Sequence, residues 1–150
     1  MGTKVSKTDH FSISQRSNGQ VRVRSGTQYE SVCNYSRAVV IEGEGRSWIL
    51  VSGTTGIDYE TGCLVPGVEA QTDKCFENIS GALKSAGAEL RHLVRVRIYL
   101  SDGGDFSAIA PIVGRACAEG MPANTTVVAQ MIDPEMRIEI EALAFKPTAE

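Results

Sequence analysis

Two carboxylates, Glu139 and Glu141, stand two residues apart in the run MRIEIEAL, Met136 to Leu143. Ile138, Ile140, Ala142 and Ala144 alternate with Arg137, Glu139 and Glu141, the period of a strand with one apolar and one charged face. On such a face the carboxylates lie roughly 6–7 Å apart, at about 3.3 Å rise per residue. So apolar a strand belongs in the middle of a sheet, where a carboxylate needs a partner or a purpose. Glu139 admits two readings. It polarises a water or shuttles a proton in a cleft, with a pKa raised by partial burial, or it pairs with an arginine. Glu141 reads as an ion-pair partner.

The remaining reactive side chains say less. Cys33, Cys63, Cys75 and Cys117 form no CxxC pair, and no histidine stands at ligand spacing, so neither a metal site nor a cofactor is expected. Cys75 and Cys117 fall on apolar helix faces and read as small hydrophobes; Cys33 and Cys63 lie in loop contexts. His10 and His92 read as solvent-facing, so no histidine base is assigned. SGTTG, Ser52 to Gly56, follows a strand and opens no helix, so it is not a phosphate loop.

The elements that must position these groups show in the periodicity. The first strands are Arg37 to Glu42 and Ser47 to Ser52, joined by the turn Gly43-Glu44-Gly45. Val68, Thr72, Cys75, Phe76, Ile79, Leu83 and Ala86 recur at helical spacing, and Gly87 follows as a stop. Leu93 to Leu100 alternates, with Val94, Val96, Ile98 and Leu100 on one face and Arg95, Arg97 and Tyr99 on the other. A second helix covers Ser107 to Glu119, with Phe106, Ile109, Val113, Ala116 and Cys117 inward. Ser107 as N-cap would keep Pro111 in the first turn. Two closing strands follow, split by a turn at Asp133-Pro134. The fold class is α+β, two helices on one face of a mixed sheet. The other face, with Arg95, Arg97, Tyr99, Arg137, Glu139 and Glu141, is uncomfortable if bare. Burial between subunits, with Arg–Glu pairs across the interface, would resolve it.

Composition bounds the function. The chain has 150 residues, 42% hydrophobic and 22% charged, with net charge −3. That suits one globular domain at residues 21–150 behind a polar, flexible arm at residues 1–20. No clustered Lys and Arg argue for nucleic acid. No apolar run reaches the ~20 residues of a membrane helix, and the polar start lacks a secretory signal, so a cytoplasmic protein with reduced thiols is expected.

NYSRAV (Asn34 to Val39), VSGTTGID (Val51 to Asp58), the stretch from Ala86 to Asp102 ending LVRVRIYLSD, the Asp105-Phe106 pair and DPEMRIEIEA (Asp133 to Ala142) resemble the YjgF/Rid family. These are the reactive-intermediate deaminases, also called the L-PSP endoribonuclease family. The resemblance spans Tyr29 to Phe145. It implies a chorismate-mutase-like fold and a homotrimer with ligand pockets in the clefts between subunits. Members with imine deaminase activity hydrolyse 2-aminoacrylate and related enamines or imines to keto acids and ammonia. Their Pro-Ala-Arg motif supplies an arginine for the substrate carboxylate. Here the motif is Pro-Ala-Asn, with Asn124 in that place, Thr126 where a cysteine is common, and Ala110 where an asparagine is often seen. Tyr35, Ser52-Gly53 and Glu139 keep the family pattern.

The resemblance thus implies a metal-free enzyme acting on a small enamine, imine or unsaturated metabolite by deamination, hydrolysis or tautomerisation. Tyr35 and Asn124 would orient the ligand, Glu139 would handle the proton or water, and Gly53 would line the floor. Thr126 is a pocket hydroxyl or an ordinary strand residue. Asn124 hydrogen-bonds a carboxylate but carries no charge, so generic 2-aminoacrylate deamination is not expected. The alternative is a non-catalytic metabolite-binding or regulatory trimer. Ribonuclease activity is disfavoured by the acidic balance.

Overall fold

The computed structural model describes residues 10–147. Ser12–Gln15 (β1) and Val21–Arg24 (β2) form an antiparallel hairpin, followed by a short helix, Gln28–Cys33 (α1). Then come Ala38–Gly43 (β3), Arg46–Thr55 (β4), the long helix Val68–Ser85 (α2), Leu93–Leu100 (β5), Phe106–Ala116 (α3), Ala123–Val128 (β6) and Ile138–Pro147 (β7). One mixed sheet runs β1-β2-β3-β4-β7-β5-β6, antiparallel throughout except for the parallel pair β5–β6. β7 is central, as its apolar alternation demands. α2 lies across β4 and β7, with α3 beside it. The core joins Cys75, Ile79 and Leu83 of α2 to Ile49, Val96, Ile98, Ile138 and Ile140 of the sheet.

The expected alternation and the observed one diverge where the backbone bulges. Leu93 pairs with Ala144 and Arg95 with Leu143, leaving Val94 as an extra residue. Leu93 and Val96 are therefore buried, while Val94 is exposed rather than inward.

The closing strands are neighbours in sequence but not in the sheet, because β5 lies between them. Residues 129–137 cross that gap of about 10 Å, two strand spacings. Gln71 of α2 holds the crossing down: its amide donates to Glu135 O (3.0 Å), and its Oε1 accepts from Arg137 N (2.8 Å).

Three local expectations are corrected. Ser12–Gln15 is an exposed edge strand, so ordered structure begins inside the stretch read as an arm; residues 1–9 of that arm lie outside the described residues. The second helix starts at Phe106 with Asp105, not Ser107, at the N-cap position. Asp105 makes no side-chain cap bond because its carboxylate accepts from Arg137 Nη2 (2.6 Å). Pro111 is then inside α3, on its exposed side where water can reach the freed carbonyl, and Phe106 points outward, 54% exposed. His92 is buried, its Nδ1 accepting from Glu89 N (3.0 Å) in a tight turn before β5.

Candidate functional site

Glu139 sits near the start of β7, opposite Thr55 of β4 and Tyr99 of β5. Its neighbours Ile138 and Ile140 are fully buried beneath the helices, so Glu139 projects from the opposite face of the sheet. β4 makes room for it. Val51 pairs with Ala142 but Thr54 with Ile140, so the strand bulges at Ser52-Gly53. The Glu139 carboxylate lies against the bare Cα of Gly53, where any Cβ would collide with Oε1. A side chain at this position would push the Glu139 carboxylate aside.

The segment before β3 lies against the bulge. Ser52 N donates to Arg37 O (2.9 Å), and Ser52 Oγ donates to Ser36 O (2.6 Å). This zipper brings in Arg37, which is 4% exposed. Its Nη1 donates to Gly53 O (2.6 Å) and Thr54 Oγ1 (3.2 Å), and its Nη2 donates to Tyr35 OH (3.1 Å). Because the Tyr35 oxygen already accepts from Arg37, its own proton is free to donate to a ligand. Behind Arg37 stands Glu30, 0% exposed and 3.8 Å from Nη2.

Glu30 is held by α1 itself. Thr27 and Glu30 form a capping box, and the Glu30 carboxylate also accepts from Ser25 N (3.0 Å) and Ser25 Oγ. Burial pushes its pKa up, but hydrogen bonds from Ser25 and Thr27 and the Arg37 charge outweigh that and leave it below the ordinary value. Glu139 shifts the other way. Burial raises its pKa, Arg37 opposes the rise, and Glu141 adds to it. The pKa values of the two carboxylates are thereby driven apart: that of Glu30 lies below the ordinary carboxylate value and that of Glu139 above it.

Glu139, Arg37, Tyr35 and Gly53 line a pocket of about 60 Å³, closed by Tyr29, Tyr59 and Met136 among others. Of the residues lining it, Arg37 is the one cation. Three sequence-named residues, Tyr35, Gly53 and Glu139, are thus brought together. Asn124 and Thr126 are not. They pair with Val96 and Ile98, whose side chains face the helices, so they share that face of edge strand β6. Within one chain they lie on the other side of the sheet from Glu139, and Thr126 Oγ1 donates to Asn124 Oδ1 (2.8 Å).

Glu141 has a partner within its own chain. Arg97 Nη1 (2.9 Å) and Tyr99 OH (2.6 Å), both on β5, donate to its Oε1. The pair is substantially exposed, so it orders the face more than it stabilises it. This Arg–Glu pair is made between adjacent strands of one chain. Cys75 is also spoken for: its Sγ donates to Thr54 O (3.2 Å), and burial raises its pKa so that it remains a thiol. Cys33 and Cys63 are exposed and free.

Sequence reading missed Arg37 and Glu30 as site residues. The T-x-x-E spacing of Thr27 and Glu30 announces a helix start, but not that its glutamate will be buried against an arginine. Arg37 stands one residue before a strand, a position as common for a solvated side chain as for a buried one.

The sequence profile described as Endoribonuclease L-PSP matches residues 26–146. This chain belongs to the YjgF/Rid family. A RutC family protein of Pyrococcus abyssi is 35% identical over 113 residues, covering 75% of this chain and 86% of that one. The 2-iminobutanoate/2-iminopropanoate deaminase of Capra hircus is 32% identical over 113 residues, covering 75% and 80%. The crystal structure of a Mycobacterium tuberculosis member of the YjgF/YER057c/UK114 family superposes with a TM-score of 0.74 at 33% identity, covering 85% of this chain and 99% of that one. Family relatives therefore include imine deaminases. No helix among the described residues is long and apolar enough to cross a membrane.

Proposed function

We propose that this chain is an enamine/imine deaminase that hydrolyses a 2-imino acid to the 2-oxo acid and ammonia, without a metal. The observation that carries this reading is Glu139, its pKa raised by burial, lying against Gly53 in the pocket that also holds Tyr35 and Arg37. In the reaction, ionised Glu139 takes a proton from water as the water oxygen bonds to the imine carbon. Protonated Glu139 returns that proton to the nitrogen, giving the carbinolamine; it then takes the hydroxyl proton and passes it to the nitrogen as the C=O bond forms, the C–N bond breaks and ammonia leaves. An enamine substrate first gains a proton at carbon and loses one from nitrogen, becoming the imine. Tyr35 OH donates to the bound substrate, and Arg37 keeps Tyr35 and the Gly53 carbonyl in place.

Asn124 and Thr126 enter this reading as contributions from a neighbouring subunit of a homotrimer of chorismate-mutase-like fold. Two features support that arrangement. Their edge strand is exposed, and they lie on the wrong face to reach Glu139 of their own chain.

The test is an assay of 2-oxo acid release from imines generated in situ, beside light scattering. The expected result is a trimer that accelerates release, with Asn124→Arg improving small imino acids by about ten- to a hundredfold through the restored charge-assisted pair, worth ~1.5–3 kcal/mol. A trimer that binds 2-oxo acids but hydrolyses no imine would instead make it a metabolite-binding module. A monomer would remove Asn124 from the site. Gly53→Ala should displace the Glu139 carboxylate and lower turnover up to about 10²-fold, as a misplacement near 1 Å does, while the fold is retained. Unchanged turnover would mean that the close approach is unimportant.

A further inference from the structure

The catalytic pocket is small and shares part of its wall with a much larger hollow. At about 60 Å³ the inner pocket is much smaller than its neighbour. Thr27, Tyr29, Ile57, Tyr59 and Met136 line it and equally line the adjoining hollow, which measures about 580 Å³. The outer hollow differs in chemistry as well as size. Tyr29, Val32, Ile57, Tyr59, Leu64 and Met136 give it apolar and aromatic walls beside the polar Ser25, Thr27 and Gln28, and Asp133 is the one charged group among its lining residues. Tyr35, Arg37 and Glu139 line the inner pocket and not this hollow.

This outer wall is built in advance. Thr27 and Glu30 fix α1 through the capping box, and Glu30 also ties down Ser25. Ile57 and Leu64 bridge to each other across a loop. Tyr59 packs edge-on against Phe11, with ring centroids 5.8 Å apart. Met136 N donates to Asp133 O (3.0 Å), holding the crossing loop at the rim. A hollow braced from three elements binds an apolar group without first having to be ordered.

From these observations we infer that the physiological substrate is a 2-imino acid or enamine whose side chain is aromatic or branched and apolar, not a one- or two-carbon chain. Its reacting carbon sits beside Glu139, and its side chain passes between Tyr29 and Tyr59 into the outer hollow. A cavity of about 150 Å³ lined by apolar side chains already accepts a benzene ring, so the room available is ample. A methyl or ethyl substituent leaves that surface in water and gains nothing from it. The inference rests on the deaminase reading above and deepens it.

The experiment is a size series. Imines are generated in situ by oxidising L-alanine, L-leucine and L-phenylalanine with an L-amino-acid oxidase, and 2-oxo acid release is measured against the spontaneous rate. The expected result is a kcat/KM for the phenyl-bearing imine at least about tenfold above that for the methyl one, with the leucine-derived imine between. Val32→Trp, on the exposed side of α1 at the rim, should cut that ratio several-fold by narrowing the hollow. Val32 is 71% exposed, so the substitution leaves the core intact. Turnover that is equal across the series, or a ratio that Val32→Trp does not move, overturns this inference and leaves the deaminase reading standing. No acceleration with any of the three overturns both.

Discussion

Glu139→Gln is expected to lower imine hydrolysis by roughly 10²- to 10⁴-fold, the contribution of a positioned acid–base group. The amide keeps the shape against Gly53 but can neither take the water's proton nor return one to nitrogen. A second signature separates this from a packing defect. In the wild type, the rate should fall as pH drops through the pKa of Glu139, which burial holds above the ordinary carboxylate value near 4.5. In Glu139→Gln that limb should vanish.

Stability should move the opposite way. A carboxyl whose pKa is raised on folding stabilises the native state only while protonated, and that stability is lost as pH rises from its unfolded to its folded value. At pH 7 wild type therefore holds a charge that folding disfavours, and the glutamine variant does not. Thermal melts should show Glu139→Gln more stable than wild type at pH 7, with the gain disappearing below pH 4 or so. A variant that is both inactive and less stable at pH 7 would make Glu139 a structural residue.

Arg37→Met should cost about 3–5 kcal/mol of stability at pH 7, measured by urea unfolding. It strands Glu30, a carboxylate with no solvent exposure, without its counter-charge, and removes donors from Gly53 O, Thr54 Oγ1 and Tyr35 OH. The pH dependence fixes the cause. The Glu30 pKa is depressed on folding in wild type, so it contributes stability above its unfolded value that is lost as pH falls through the folded one. Without Arg37 that contribution shrinks, and the gap between the proteins should narrow as the medium is acidified through this range. Any residual activity should shift to higher pH, because Arg37 also restrains the pKa of Glu139. Equal stability at pH 7 would show that the Ser25 and Thr27 hydrogen bonds suffice for Glu30.

Local pattern was a good guide wherever one element decides its own fate. The stripe of α2 and the alternation of β7 each follow from a repeat within a single segment, and both emerge as read. The Gly43–Gly45 turn is equally local, with Gly45 at φ 69°. The same alternation separated Glu139 and Glu141 from the core and placed their strand centrally. Family motifs then picked Tyr35, Gly53 and Glu139, which the fold gathers in one pocket.

What the sequence left open depends on pairings between distant segments. Alternation could not foresee the bulge at Val94, because an extra residue is defined only against the partner strand. It could not insert β5 between the two closing strands, since strand order is a property of the whole sheet. Glu141 and Glu139 look alike along the chain. Tyr99 and Arg97 of β5 claim the first, and the bulge of β4 shelters the second. Arg37 went unread for the same reason. The family motif pointed to Asn124; the cation that the fold brings to the Glu139 pocket within this chain is Arg37, drawn in by its hydrogen bonds to Gly53 and Thr54. Sequence determined which residues can do chemistry. Only the tertiary structure decided which of them meet, because burial and charge pairing are set by neighbours that the chain brings from far away.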